Sequence, residues 1–114
     1  MKQIIVMRTD LGMRKGKMIA QGAHASLALT LENLDDPRVK QWLAGLFTKI
    51  CVRADTPEEM WLLVEAAHKA GVLYSTIIDS GRTEFHSDPT LTCAAIGPDT
   101  SENLAPITGA MKLL

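Results

Sequence analysis

Lys17, Gln21 and His24 stand three to four residues apart in the segment RTDLGMRKGKMIAQGAHASLAL, which runs from Arg8 to Leu29. On a helix that spacing gathers them into one polar row. An ammonium at the head of such a row can hold a phosphate or stabilise a developing oxyanion. A loop with two glycines, DLGMRKG, leads into the helix, where free backbone N–H groups and the positive dipole end make an anion site. Lysines at a helix start are locally unfavourable, which is a mild reason to look for a function; solvated surface charge is the plain alternative. His24, on an alanine-rich face, also reads as a core histidine with satisfied hydrogen bonds. The loop is not a nucleotide phosphate loop. The spacing from Gly12 to Lys17 is wrong, and Met18 stands where Ser or Thr is required.

A second cluster, DSGRTEFH, closes an apolar run at Asp79. Asp79 is a candidate general base or positioning carboxylate, and Thr83 a hydroxyl that could orient water or an ester. The alternative is an Asx-type turn with Arg82 in an ion pair. The three histidines are scattered, with no H-x-x-x-H or C-x-x-C spacing, so no metal site is expected. No G-x-S-x-G elbow is present, and neither cysteine has a catalytic signature. Water is therefore the better candidate for any nucleophile.

The elements that must carry these residues are legible from periodicity. QIIVMRT, residues 3–9, reads as a strand buried on both faces. Residues 15–31 have helical spacing. Ile19, Ala23, Leu27 and Leu31 repeat every four residues, with Ala20, His24 and Ala28 beside them, and together they are expected to form its apolar face. A second helix starts with Asp36 as cap and Pro37 at the first helical position. Strands are expected over 47–54, 72–79 and 90–97. Between the first two of these, Thr56, Pro57 and Glu59 announce a helix with a capping box, and Gly71 its left-handed stop. Thr100 or Ser101 caps a short last helix, which Pro106 is expected to end early. The terminal MKLL is a candidate edge strand. This order predicts one α/β domain over residues 1–114, with a small mixed sheet of about four strands and helices on both faces. Ligands of such sheets bind beyond the carboxyl ends of the strands, which points to loops 9–16 and 79–89.

The chain has 114 residues and a formal net charge of −1, so it is not coated in positive charge. A local patch is still possible. Lys2, Arg8, Arg14, Lys15 and Lys17 face only Asp10 in the first 17 residues. A polyanion is therefore expected near the first loop. Cys51 and Cys93 lie in strand-like apolar runs and read as buried thiols. No apolar run is long enough to span a membrane and no targeting segment is recognised, so the cytoplasm is the expected compartment.

Four segments, in order, resemble the signatures of the archaeal/eukaryotic-type peptidyl-tRNA hydrolases. RTDLGMRKGKMIAQGAHA is similar to R-x-D-L-x-M-x-K-G-K-x-A-A-Q-x-x-H-A, and DSGRTE to D-A-G-R-T-Q. PTLTCAAIGPD and ITGAMKLL are similar to the family's later segments. The departures are Ile19, Ser80 and Glu84 in place of Ala, Ala and Gln, Ala95 in place of Gly, and a stretch from Thr83 to Thr92 one residue longer than usual.

The resemblance implies hydrolysis of the ester between a peptide and tRNA, with no metal or organic cofactor and with a homodimeric assembly. It implies Lys17, Asp79, Thr83 and Thr92 as catalytic residues. Arg8, Arg14, Lys15 and Arg82 would then contact tRNA phosphates, with Gln21 and His24 as polar supports behind Lys17. Two alternatives stay open: a non-catalytic RNA- or protein-binding module on the same fold, and an esterase acting on another acylated tRNA or a small phosphorylated ester.

Overall fold

The computed structural model describes residues 1–80 and 89–114. The elements are β1 (Lys2–Arg8), α1 (Lys15–Glu32), α2 (Pro37–Ala44), β2 (Lys49–Ala54), α3 (Pro57–Ala70), β3 (Tyr74–Asp79), β4 (Thr90–Asp99) and α4 (Ser101–Thr108). The strands form one sheet in the order β2-β1-β4-β3. β1 and β2 pair in parallel, and β4 lies antiparallel between β1 and β3. It follows that β1, β2 and β3 all point the same way. Their carboxyl ends share one rim with the start of β4. The expected mixed α/β sheet with helices on both faces is present.

Alternation along β1 divides the core in two. Ile4 and Val6 join Val52, Met60, Val64, Leu104 and Ile107 under α3 and α4. Ile5 and Met7 join Ala25, Leu29, Ile77 and Cys93 under α1. The helix ends are built as their residues dictate. The Asp36 carboxylate accepts from the Arg38 N–H at 2.8 Å, and Pro37 follows it. The Thr56 hydroxyl accepts from the Glu59 N–H at 3.1 Å, while the Glu59 carboxylate accepts from the Asp55 N–H at 2.9 Å. Gly71 closes α3 at φ 71°, a backbone state that glycine enters without a Cβ penalty. The C-terminus lies against β2, where Arg53 N–H donates to the Lys112 carbonyl at 2.9 Å. MKLL thus covers the outer edge of β2 through a single bridge, Val52 to Leu113.

The orientation of α1 differs from expectation. Its buried residues are Gln21, Gly22, Ala25, Ser26 and Leu29. Ile19, Leu27 and Leu31, expected inside, are 73%, 58% and 59% exposed. Close approach is the reason. A Cβ on Gly22 would already stand 3.6 Å from Ile5 Cγ2 and Met7 Cε, so the small residues face the sheet. Leu29 anchors the far end of this face, and its truncation to Ala should cost about 2–5 kcal/mol. His24 is exposed rather than buried, because it lies off this narrow contact stripe.

Cys51 is likewise exposed, while Cys93 is buried as expected. Cys51 shares a side of the sheet with its neighbour in register, Ile5. α1 packs over β1, β4 and β3 and leaves β2 open on that side. Pro106 does not end α4, which runs to Thr108 with Leu104, Ile107 and Thr108 buried. Pro106 and Glu102, whose carbonyl it leaves without a donor, are both solvent-exposed.

Candidate active site

The carboxyl-end rim of the sheet gathers residues far apart in sequence. Gly12 turns the chain after β1 at φ 68°, and Met13 tucks under α1. Arg14 takes the N-cap position of α1 without a side-chain cap bond, and no acid lies in the first turn. No acid of the helix itself offsets the positive end of that first turn. Lys17 occupies the third helical position and forms an ion pair with Asp79, the last residue of β3. Their side chains keep 17% and 11% of their exposure, so the pair sits at the rim and not in the core.

Behind the pair lies a buried polar contact. Gln21, one turn along α1 from Lys17, donates from Nε2 to Thr92 Oγ1 at 2.8 Å. The Thr92 hydroxyl donates to the Ile77 carbonyl at 3.3 Å. Thr92 is 0% exposed. Gln21 is buried in this contact, whereas His24 is solvent-exposed. Thr90 is the register partner of Asp79 across the β3–β4 ladder.

Arg8 is also placed differently from expectation. It is 7% exposed, and its guanidinium bonds Asp10 through Nε at 3.0 Å and Nη2 at 2.6 Å. Nη1 donates to the Leu91 carbonyl at 2.9 Å. A buried guanidinium held on three acceptors fastens the start of β4 and is poorly placed to meet RNA. The Arg8 hydrogen bonds hold the Asp10 carboxyl below its usual range. Arg14 and Lys15 remain exposed beside Lys17. Arg82 and Thr83 lie outside the described residues.

Among the described residues, no group of three or more His, Cys, Asp or Glu side chains is placed to hold a metal ion. A larger hollow, about 770 Å3, opens at the opposite rim beside Arg38, Asp99 and Asn103. Its polar groups bond one another. Asp99 Oδ1 accepts from Thr100 N–H and Asn103 Nδ2, and Arg38 donates to the Gly71 carbonyl. That end of the molecule is a structural clasp, and the paired acid and base lie at the other.

A family model described as Peptidyl-tRNA hydrolase PTH2 matches residues 1–114. A curated peptidyl-tRNA hydrolase of Haloquadratum walsbyi is 42% identical over 113 residues, covering 99% of this chain and 99% of that protein. One from Methanocaldococcus jannaschii is 40% identical over the full length of both chains. One from Methanothermobacter thermautotrophicus is 35% identical over the full length of both. A solved structure of an Agrobacterium protein of unknown function shares the fold with a TM-score of 0.69, over 99% of this chain and 96% of that one, at 12% identity. With a full-length family match and full-length relatives above the level at which family is in doubt, this chain belongs to the peptidyl-tRNA hydrolase PTH2 family.

Proposed function

We propose that this chain hydrolyses the ester between a peptide and its tRNA, and that the Lys17–Asp79 pair is where it does so. The observation that carries this reading is the pair itself, a largely buried ammonium and carboxylate joined at the rim of an open α/β sheet. Asp79 draws a proton from water as the water oxygen attacks the ester carbonyl carbon. The Lys17 ammonium stabilises the tetrahedral oxyanion that forms. The bond from that carbon to the ribose oxygen then breaks. The ribose oxygen takes up the proton, leaving a peptide carboxylic acid and a tRNA with a free terminal hydroxyl. No step draws on a metal or an organic cofactor. Thr83 belongs to this site by resemblance, as a hydroxyl beside the water or the ester.

The exposed Arg14 and Lys15 extend the positive end of α1 and support a role in holding phosphates of the RNA end. Arg82 joins them by motif. Peptidyl-tRNA is made where ribosomes work, and the cytoplasm is the compartment proposed. No helix among the described residues is long and apolar enough to cross a membrane.

The exposed row Ile19, Leu27 and Leu31 supports a homodimer. It borders a groove of about 500 Å3 lined in part by Ile5, Ala23, Leu27 and Leu43, on the side where β2 is uncovered. Two copies meeting through this face about a two-fold axis would cover each other's apolar row.

The deciding assay is release of N-acetyl-amino acid from N-acetyl-aminoacyl-tRNA, run beside free aminoacyl-tRNA and repeated with chelator. Rapid release from the blocked substrate alone, unchanged by chelator, is the expected result. Binding of tRNA without turnover would instead assign the chain to the non-catalytic module.

A further inference from the structure

We propose that Gln21 and Thr92 form a positioning relay that sets the end of β3, and with it the Asp79 carboxylate, against Lys17. The inference rests on the site reading above and deepens it. Its first support is a slip in the sheet. Ile77 pairs with Cys93, but the next residue, Ile78, pairs with Leu91, so Thr92 is an extra residue with no partner across the ladder. Regular alternation would turn Thr92 away from the side that Cys93 faces. The bulge lets Thr92 follow Cys93 in meeting α1, and returns Leu91 to the core beneath α3.

The second support is what the displaced hydroxyl does. It accepts from Gln21 on the helix that carries Lys17 and donates to the Ile77 carbonyl, two residues before Asp79 on the strand that carries it. A hydroxyl has one proton to donate. With that proton on Ile77 and no exposed surface, Thr92 acts through the backbone and does not touch the ester. Arg8 holds the other side of the bulge through the Leu91 carbonyl. The slip is thus fixed from α1 and from β1 at once. Thr92, which the resemblance implies as catalytic, becomes a positioning residue, and Gln21 its partner.

The test compares Thr92→Val, which keeps shape and removes the hydroxyl, with Thr92→Ser, which keeps the hydroxyl. Thr92→Val and Gln21→Leu should each lower kcat by roughly tenfold to a hundredfold with KM little changed, as for a small misplacement of a reacting group. Thr92→Ser should recover most of kcat. The double variant Gln21→Leu/Thr92→Val should be no slower than the slower single one, because the relay breaks once. If Thr92→Val fails to fold, Gln21→Leu carries the same comparison from the helix side. Independently of activity, the Asp79 carboxyl carbon resonance in labelled protein should move in Thr92→Val and return in Thr92→Ser. A wild-type chain with no esterase activity would sink the site reading while this resonance still judged the relay. Wild-type kcat in Thr92→Val, a Thr92→Ser as slow as Thr92→Val, or an unmoved Asp79 resonance would overturn the relay.

Discussion

Lys17, in the first turn of α1, is ion-paired with Asp79, the last residue of β3, across 62 positions of sequence. The topology makes this contact possible. β1 and β3 run the same way on either side of β4, so the segment leaving β1 and the end of β3 reach the same rim. α1 then crosses β4 and β3 on one face and carries Lys17 over the end of β3.

Acid should weaken the fold through the carboxylates that pair locally. Asp10 is held below its ordinary 3.8 first by the Arg8 hydrogen bonds, and Asp36 below the same value first by those of Arg38. A carboxyl whose value is lowered in the folded chain adds stability above the unfolded value, and that stability is lost as pH falls through the lowered one. Tm should therefore hold near neutrality and drop below about pH 4. Asp10→Asn should be less stable than wild type near neutrality and drop less in acid. Arg8→Ala should cost about 2 kcal/mol or more at neutral pH, since it also leaves the Leu91 carbonyl without its donor. An acid profile identical in Asp10→Asn and wild type would contradict this.

The two thiols should separate cleanly. Burial pushes the Cys93 thiol up to about 12, and the side chain has no exposed surface, so it should resist alkylation until the chain unfolds. Cys51 is exposed on β2. Mass mapping after mild alkylation of folded protein should find the label on Cys51 and not on Cys93. Labelling of Cys93 at a comparable rate would show that the sheet is not packed as described.

Leu27→Glu should dissociate the proposed dimer. Leu27 is 58% exposed and contributes nothing to the core of its own chain, so the fold should survive. Light scattering should show wild type at the mass of two chains and the variant at one. A wild-type mass of one chain would refute the dimer directly.

Arg14→Ala and Lys15→Ala should act on binding. Each should raise KM, leave kcat near wild type and flatten the dependence of log K on log salt by about one unit. A fall in kcat at saturating tRNA, with the salt slope intact, would remove them from the RNA interface.

The sequence carried most of the fold because its punctuation is local. Asp36–Pro37, Thr56 with Glu59, and Gly71 each fix an element end through neighbours a few residues away. The facing of α1 was not legible, because that choice lies in tertiary packing. Ile19, Leu27 and Leu31 are the more apolar row, yet Gly22, Ala25 and Ser26 allow the closer approach. The exposure of Cys51 is not legible for a related reason: its strand is apolar, but nothing in the sequence tells which strand a helix leaves bare. At the candidate site, the meeting of Lys17 with Asp79, and the place of Gln21 one turn further along α1, follow from type and spacing. The burial of Arg8 is not legible, because its bond to the Leu91 carbonyl is made in space, although the two-residue separation from Asp10 hints at their pairing. The facing of Thr92 toward α1 is hidden by the bulge, a one-residue slip that no periodicity reveals.

The central claim is that Lys17 and Asp79 act as one reacting unit. The most direct measurement is turnover of saturating N-acetyl-aminoacyl-tRNA by Lys17→Ala, Asp79→Ala and the double variant, each first shown to unfold cooperatively. Neither side chain belongs to the apolar core, so all three should fold. Each single variant should lose roughly a hundredfold or more in kcat, as for removal of a general base or an electrostatic stabiliser. The double variant should lose far less than the product of the two losses, because groups acting as a unit are not additive. Folded single variants with near-normal turnover, or losses that multiply in the double variant, would contradict the account.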